Sequence, residues 1–223
     1  CRLLWIDPGF STAAGLFLAI PPPELGDWVV AYDEIYLQNS TLETFGRQVQ
    51  RRTNEGQRFH AFGIDWHYTR RHEWTSGKTI ESQMIEVFRA LGIRSEATGH
   101  AFRHGSDDVP GRIAKVRSWL VARKDEKGDF LAPKFRVLRA PGDPQRSCCP
   151  HMEKEFDSYM KKFLHDEATD VPIKGNDDLM NALEYAAHDA QTRYHAPKVQ
   201  RPEAKEAGLA ALPHHFMAVG RCK

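Results

Sequence analysis

The chain is short of several things, and each shortage excludes a class of protein. It has only four cysteines in 223 residues. Cys148 and Cys149 are adjacent, and Cys1 and Cys222 sit at the ends. That arrangement is neither a disulfide framework nor the spaced pairs a structural zinc site needs, so reduced cysteines in a cytoplasmic setting are expected. Long hydrophobic runs are missing. The longest uncharged stretch, Pro8 to Pro23, is broken by Gly9, Gly15 and three closing prolines, too short and interrupted to span a bilayer. No basic n-region leads into an apolar segment at the N-terminus, so no secretory signal is read there. A nucleotide-binding loop is also missing. Ser76-Gly77-Lys78-Thr79 imitates its end, but the glycine required five residues before Gly77 is His72, so these residues read as a helix start. No internal repeat is present. The chain opens on Cys1 within what already reads as a core strand, which suggests a segment of a longer chain.

Net charge is nearly absent too, at +1. That total hides an uneven distribution. Residues 1–102 sum to −2, and residues 103–146 carry 11 basic and 6 acidic side chains. Residues 147–192 carry 4 and 10, and residues 193–223 carry 6 and 2. A basic block beside an acidic one can hold a polyanion on the first and gather cations near the second.

What is present is an α/β pattern. Arg2–Asp7, Ala14–Ile20 and Trp28–Leu37 read as three strands joined by short turns, an antiparallel meander. Thr41 opens a helical period through Leu42, Phe45 and Val49. Phe59–Asp65 returns as a strand, and residues 79–91 form an amphipathic helix stopped by Gly92. Helices are expected over 110–124, 151–164 and 177–193, with a short strand over 134–138. The early strands leave no room for intervening helices, so the sheet is mixed, not doubly wound. The expected division is a domain over 1–195 and an extended or disordered basic tail over 196–223.

Three carboxylates stand where chemistry is expected. Asp7 closes an apolar strand before Pro8-Gly9, and Asp65 closes another after Phe62-Gly63-Ile64. Carboxylates at strand ends face the crevice where ligands bind, although Asp-Pro-Gly is also ordinary turn chemistry. The third element is Asn176-Asp177-Asp178-Leu179-Met180-Asn181-Ala182-Leu183-Glu184-Tyr185-Ala186. Asn176 reads as an N-cap with two acids in the first turn. At 100° per residue, Leu179, Leu183 and Ala186 define a buried stripe. Asp178 lies at its edge and Asp177 points towards solvent. Three clustered acids raise one another's pKa, and hard divalent cations, Mg²⁺ or Mn²⁺, relieve that cost. Two such ions suit phosphodiester hydrolysis.

These three motifs together resemble the nuclease domain of tailed-bacteriophage terminase large subunits, over residues 1 to about 192. The resemblance implies a ribonuclease H-like fold and a metal-dependent endonuclease that cuts concatemeric viral DNA during packaging, with low sequence specificity. It implies Asp7, Asp65 and Asp178 as metal-binding carboxylates, with Asp177 a contributor and Asp7 bridging two ions. Many relatives carry a further Asp where this chain has Asn181, which would weaken metal affinity or shift the burden to Asp177. Double-stranded DNA, a preceding ATPase motor domain, the portal and the small terminase subunit are the implied partners, with no membrane and with the host cytoplasm as location. The first motif is also similar to Holliday-junction resolvases. A resolvase, and a non-catalytic DNA- or portal-docking module on a degenerate nuclease fold, are the alternatives.

Arg112, Lys115, Arg117, Arg123 and Lys124 lie in the basic block and are the expected DNA contacts. His67 follows Asp65 closely enough to reach a metal or a scissile phosphate, or it is a surface turn residue. Asp107-Asp108 reads as an acid pair opening a helix. Arg47, Arg51 and Arg52 read as a solvated helix face. Trp66, Tyr68 and Trp74 around Arg70-Arg71 read either as a loop over the cleft or as core.

Overall fold

The computed structural model describes residues 1–9, 11–70, 72, 77–165 and 177–193. The first three strands are β1 (Arg2–Pro8), β2 (Thr12–Ala19) and β3 (Val29–Gln38). Helix α1 (Leu42–Asn54), strand β4 (Ala61–Ile64) and helices α2 (Trp66–Arg70) and α3 (Ile80–Ala90) follow. Next come β5 (Phe102–His104) and α4 (Val109–Leu120). Four short strands, β6 (Arg123–Lys124), β7 (Phe130–Leu131), β8 (Phe135–Val137) and β9 (Arg139–Ala140), lead to β10 (Asp143–Ser147). Helices α5 (Pro150–His165) and α6 (Asp178–Arg193) complete the described chain. None of the described helices is long and apolar enough to cross a membrane.

Six strands form one mixed sheet in the order β5-β4-β1-β2-β3-β8. The β1-β2-β3 meander is antiparallel, while β4 on β1, β5 on β4 and β8 on β3 are parallel. This is the mixed sheet expected from the sequence. Both faces of β1 are covered, and strand alternation divides its side chains between two cores. Leu4 and Ile6 join Phe62, Ile64, Phe45, Val49, Met84 and Phe88 beneath α1 and α3. Leu3 and Trp5 join Val116, Trp119, Leu179 and Leu183 beneath α4 and α6.

Local chemistry explains most boundaries. Thr41 caps α1 by accepting from the Thr44 amide, and Thr79 caps α3 by accepting from the Ser82 amide. The second contact confirms Gly77-Lys78-Thr79 as a helix start. Asp108 caps α4 through the Gly111 amide at 3.0 Å. Gly92 follows α3 at φ +69°, where a side chain would be strained.

Some expectations need correction. Helix α4 stops at Leu120, not 124, because Val121 is extended and Arg123 is drawn off to Asp27, at 2.9 Å. Residues 123–131 instead form the β6-β7 hairpin, and β5 was not anticipated. Arg47 and Arg51 are exposed on a solvated helix face, as expected, in surface pairs with Glu43 and Glu55, and only Arg52 departs. Arg52 turns inward to Asp33 at 2.6 Å and lies over the Phe17 ring. Of the aromatic-basic stretch, Arg70 stacks on Trp66 at 4.0 Å, while Arg71 and Trp74 lie outside the described residues. So do the tail and the expected division near residue 195.

Candidate metal centre

Strand alternation decides which way the two strand-end acids point. Asp7 continues the Leu3-Trp5 side of β1, and Asp65 continues the Ala61-Gly63 side of β4. The strands are parallel neighbours with Ile6 opposite Ile64, so the acids emerge side by side, and the Asp65 amide donates to the Ile6 carbonyl at 3.1 Å. Both turn towards α6, and both are buried, at 5% and 6% exposure. Gly9 makes the tight exit from β1 possible, since a Cβ there would lie 2.6 Å from the Thr12 carbonyl oxygen. The same bare position lies 3.8 Å from Asp178 Oδ1, which places the α6 acid over the β1-β2 turn.

Helix α6 supplies the opposing face. It is buried nearly all round from Leu179 to Ala187. Asp178, Asn181 and Tyr185 fall at i, i+3 and i+7, so they share one stripe. Asn181 Nδ2 donates to Asp7 Oδ2 at 3.2 Å. The Tyr185 hydroxyl donates to Asp65 Oδ1 at 2.6 Å. One turn further on, Asp189 meets Arg103 of β5 at 3.3 Å. The stripe therefore crosses β1, β4 and β5 in the order in which they lie in the sheet. Asn181 thus holds Asp7 through an amide hydrogen.

The expected N-cap of α6, Asn176, lies outside the described residues. The first amides are held from another helix: Glu155 Oε2 of α5 accepts from Leu179 and Met180 at 2.8 and 3.0 Å. Asp177 is half-buried, not solvent-facing as its helical angle suggested, and its charge adds to those that raise Asp178 and Glu155.

The electrostatics are those of crowded acids. Burial pushes Asp7 up to about 8, with the charges of Asp65 and Asp178 adding to it and the Asn181 amide opposing. Burial raises Asp178 as well, helped by Asp177. Burial pushes Glu155 up to about 8 against the two amide hydrogen bonds it accepts. A cation among these carboxylates relieves the strain that the protons otherwise relieve. Among the described residues, no group of three or more acid, histidine or cysteine side chains is placed to hold a metal ion as it stands. The carboxylate and amide oxygens of Asp7, Asp65, Asp178 and Asn181 are nonetheless donors of the type a hard divalent cation takes.

The other expected site residues separate clearly. His67 is exposed, and its amide, not its ring, touches the cluster by donating to Asp65 Oδ1 at 3.0 Å. Arg112 is no surface contact. It is 5% exposed, its guanidinium lies 4.1 Å from the Tyr185 ring centroid, and Glu184 stands 3.8 Å away. Arg123 is tied to Asp27. Arg117 is exposed and Lys115 half-exposed on α4, while Lys124 is exposed and lies over the Phe130 ring at 4.8 Å. Tyr185, Glu155 and Arg112 carry parts of this arrangement that sequence reasoning did not assign. Only Tyr185 left a signal, its i+7 spacing from Asp178.

No protein-family model matches the sequence, and no curated protein matches it. Solved structures do. The nuclease domain of the P22 large terminase aligns at 14% identity over 85% of this chain and 81% of that one, with a TM-score of 0.53. The large terminase nuclease domain from bacteriophage SPP1, solved with bound Mn, aligns at 15% identity over 82% of each chain, TM-score 0.47. RuvC from Thermus thermophilus aligns at 11% identity over 86% of this chain and 96% of that one, TM-score 0.33. The likeness to the P22 domain shows the fold alone, a ribonuclease H-like mixed sheet flanked by helices.

Proposed function

We propose that this chain is a divalent-metal-dependent DNA endonuclease of the phage terminase type, one that cuts concatemeric viral DNA during packaging. The observation that carries the reading is the convergence of Asp7, Asp65 and Asp178 from β1, β4 and α6, with Asp7 pushed up to about 8 by burial and by the other two. Buried acids of one sign are costly to assemble, and a hard cation is the partner that makes their assembly useful. Asp7, Asp65 and Asp178 would hold Mg²⁺ or Mn²⁺, with two ions as the working number and Asp177 close by. A bound divalent cation supplies Lewis acidity for activating a water and steadying the leaving oxygen of a phosphodiester.

The chain's own residues divide the remaining work. Asp7, lifted to about 8 chiefly by burial, would hold the cation in its deprotonated form. Asn181 keeps Asp7 Oδ2 engaged, so Asp7 presents its other oxygen. Arg117 and Lys124 from the basic block, with Lys115 beside them, hold backbone phosphates. Phosphate contacts carry no base information, so cutting is weakly sequence-selective. A preceding ATPase motor domain, the portal and the small terminase subunit are the proposed partners, and host cytoplasm the proposed location.

The test is cleavage of supercoiled plasmid by purified protein with Mn²⁺, compared with Asp7→Ala. Nicked and linear products from the wild type alone support the reading. Plasmid that is bound but left intact by the wild type refutes it.

A further inference from the structure

Tyr185 does more than fill the core. Its hydroxyl donates to Asp65 Oδ1 at 2.6 Å, and the His67 amide donates to the same oxygen at 3.0 Å. Among the described residues, Asp65 Oδ2 accepts no hydrogen bond. The ring that aims the hydroxyl is clamped. Trp5 stacks on it at 6.2 Å with planes 22° apart, and Arg112 lies 4.1 Å from its centroid. Gly105 makes its seat, since a Cβ there would stand 2.1 Å from Tyr185 Cδ1. Tyr185 is 3% exposed, and Glu184, its chain neighbour, holds Arg112 on one side and the Tyr159 hydroxyl on the other. A ring packed this way cannot rotate its hydroxyl off Asp65 without disturbing β1, the Gly105 turn and α4 together.

We propose that Tyr185 is a positioning residue for Asp65: with the His67 amide it occupies Oδ1 and so leaves Oδ2 as the oxygen that takes a divalent cation. The inference rests on the metal-dependent reading above and assigns a residue outside the carboxylate set. Its physical basis is that a short hydrogen bond to a carboxylate fixes both its plane and the lone pairs that remain. Because both donors choose one oxygen, Asp65 is set up as a one-oxygen ligand.

Tyr185→Phe keeps the ring, the Trp5 stack and the Arg112 contact with the ring face, and removes the hydroxyl that donates to Asp65 and also accepts from Arg112. Tyr159→Phe is the control, since it removes a buried hydroxyl that serves Glu184 instead of Asp65. Calorimetric titration with Mn²⁺ should show affinity about 10-fold weaker in Tyr185→Phe and unchanged in Tyr159→Phe. Plasmid cleavage by Tyr185→Phe should lose kcat with KM for DNA unchanged. Wild-type Mn²⁺ affinity in Tyr185→Phe, or an equal loss in Tyr159→Phe, overturns the assignment. Wild-type protein that takes up no Mn²⁺ defeats the metal reading instead. The positioning claim is then judged by metal-free crystal structures, where the Asp65 carboxylate should turn in Tyr185→Phe, and an unmoved carboxylate refutes it.

Discussion

The two faces of the central sheet are built from the same strands and behave differently. Beneath α1 and α3, β1 and β4 contribute Leu4, Ile6, Phe62 and Ile64 to a core that holds no buried acid among the described residues. Beneath α6, the same strands contribute Leu3, Trp5 and Ala61, then end in Asp7 and Asp65. The first face is stabilised mainly by apolar burial. On the second, part of that stabilisation is given up to hold charged groups in a fixed geometry, and the hydrogen bonds of Asn181, Tyr185 and Glu155 limit the loss. Stability and chemistry are thus separated by strand alternation, one residue apart along the chain.

That separation can be broken from either side. The largest expected effect is on chemistry: Asp7→Ala should cut Mn²⁺-dependent plasmid cleavage by on the order of 10³-fold, since several kcal/mol of charge stabilisation go with it. Its metal-free melting temperature should hold or rise, as a buried acid has been removed. On the opposite face, Phe88→Ala should cost about 3–5 kcal/mol of unfolding free energy in a denaturant titration, through cavity formation.

A smaller effect follows from the raised pKa values. Asp7 and Glu155 are lifted from ordinary carboxylate values to about 8. The folded chain then holds protons that the unfolded chain has released, so this contribution is complete below about pH 4 and is lost as pH rises to about 8. Metal-free protein should melt at a lower temperature at pH 8 than at pH 6. Added Mn²⁺ should raise the melting temperature more at pH 8, and Asp7→Asn should flatten the metal-free slope. A melting temperature that climbs from pH 6 to pH 8 without metal would contradict the crowding of these acids.

The smallest effect separates two arginine-lysine roles. Lys124→Ala, on the exposed hairpin, should weaken DNA binding modestly at all sequences and lower the salt-dependence slope by about 1. Arg112→Ala should leave that slope unchanged and lower stability instead, because its charge is enclosed with Glu184 and Tyr185.

Much of this was readable from residue order. Thr41, Thr79 and Asp108 announced their helices because capping is a contact within three residues. The strands β1 and β4 and their terminal acids were visible because apolar runs ending in Asp are local patterns. Arg112 was misread as a surface cation for the opposite reason. Its helix spacing shows which neighbours it has on α4, but only the packing of α4 against α6 shows that Glu184 and Tyr185 enclose it. The β6-β7 hairpin was missed because Arg123 leaves α4 for Asp27, 96 residues away in the chain.

The sequence by itself determined the mixed order of strands and helices, the three acids and the polar stripe on α6, all of which depend on periodicities of 2 and 3.6 residues. Tertiary structure decided the rest: that β4 lies parallel to β1 in a register setting Asp65 beside Asp7, that α6 crosses both, and that Glu155 caps it from α5. Those are distances between residues far apart in the chain, set by how two faces of one sheet are covered, and no local pattern encodes them.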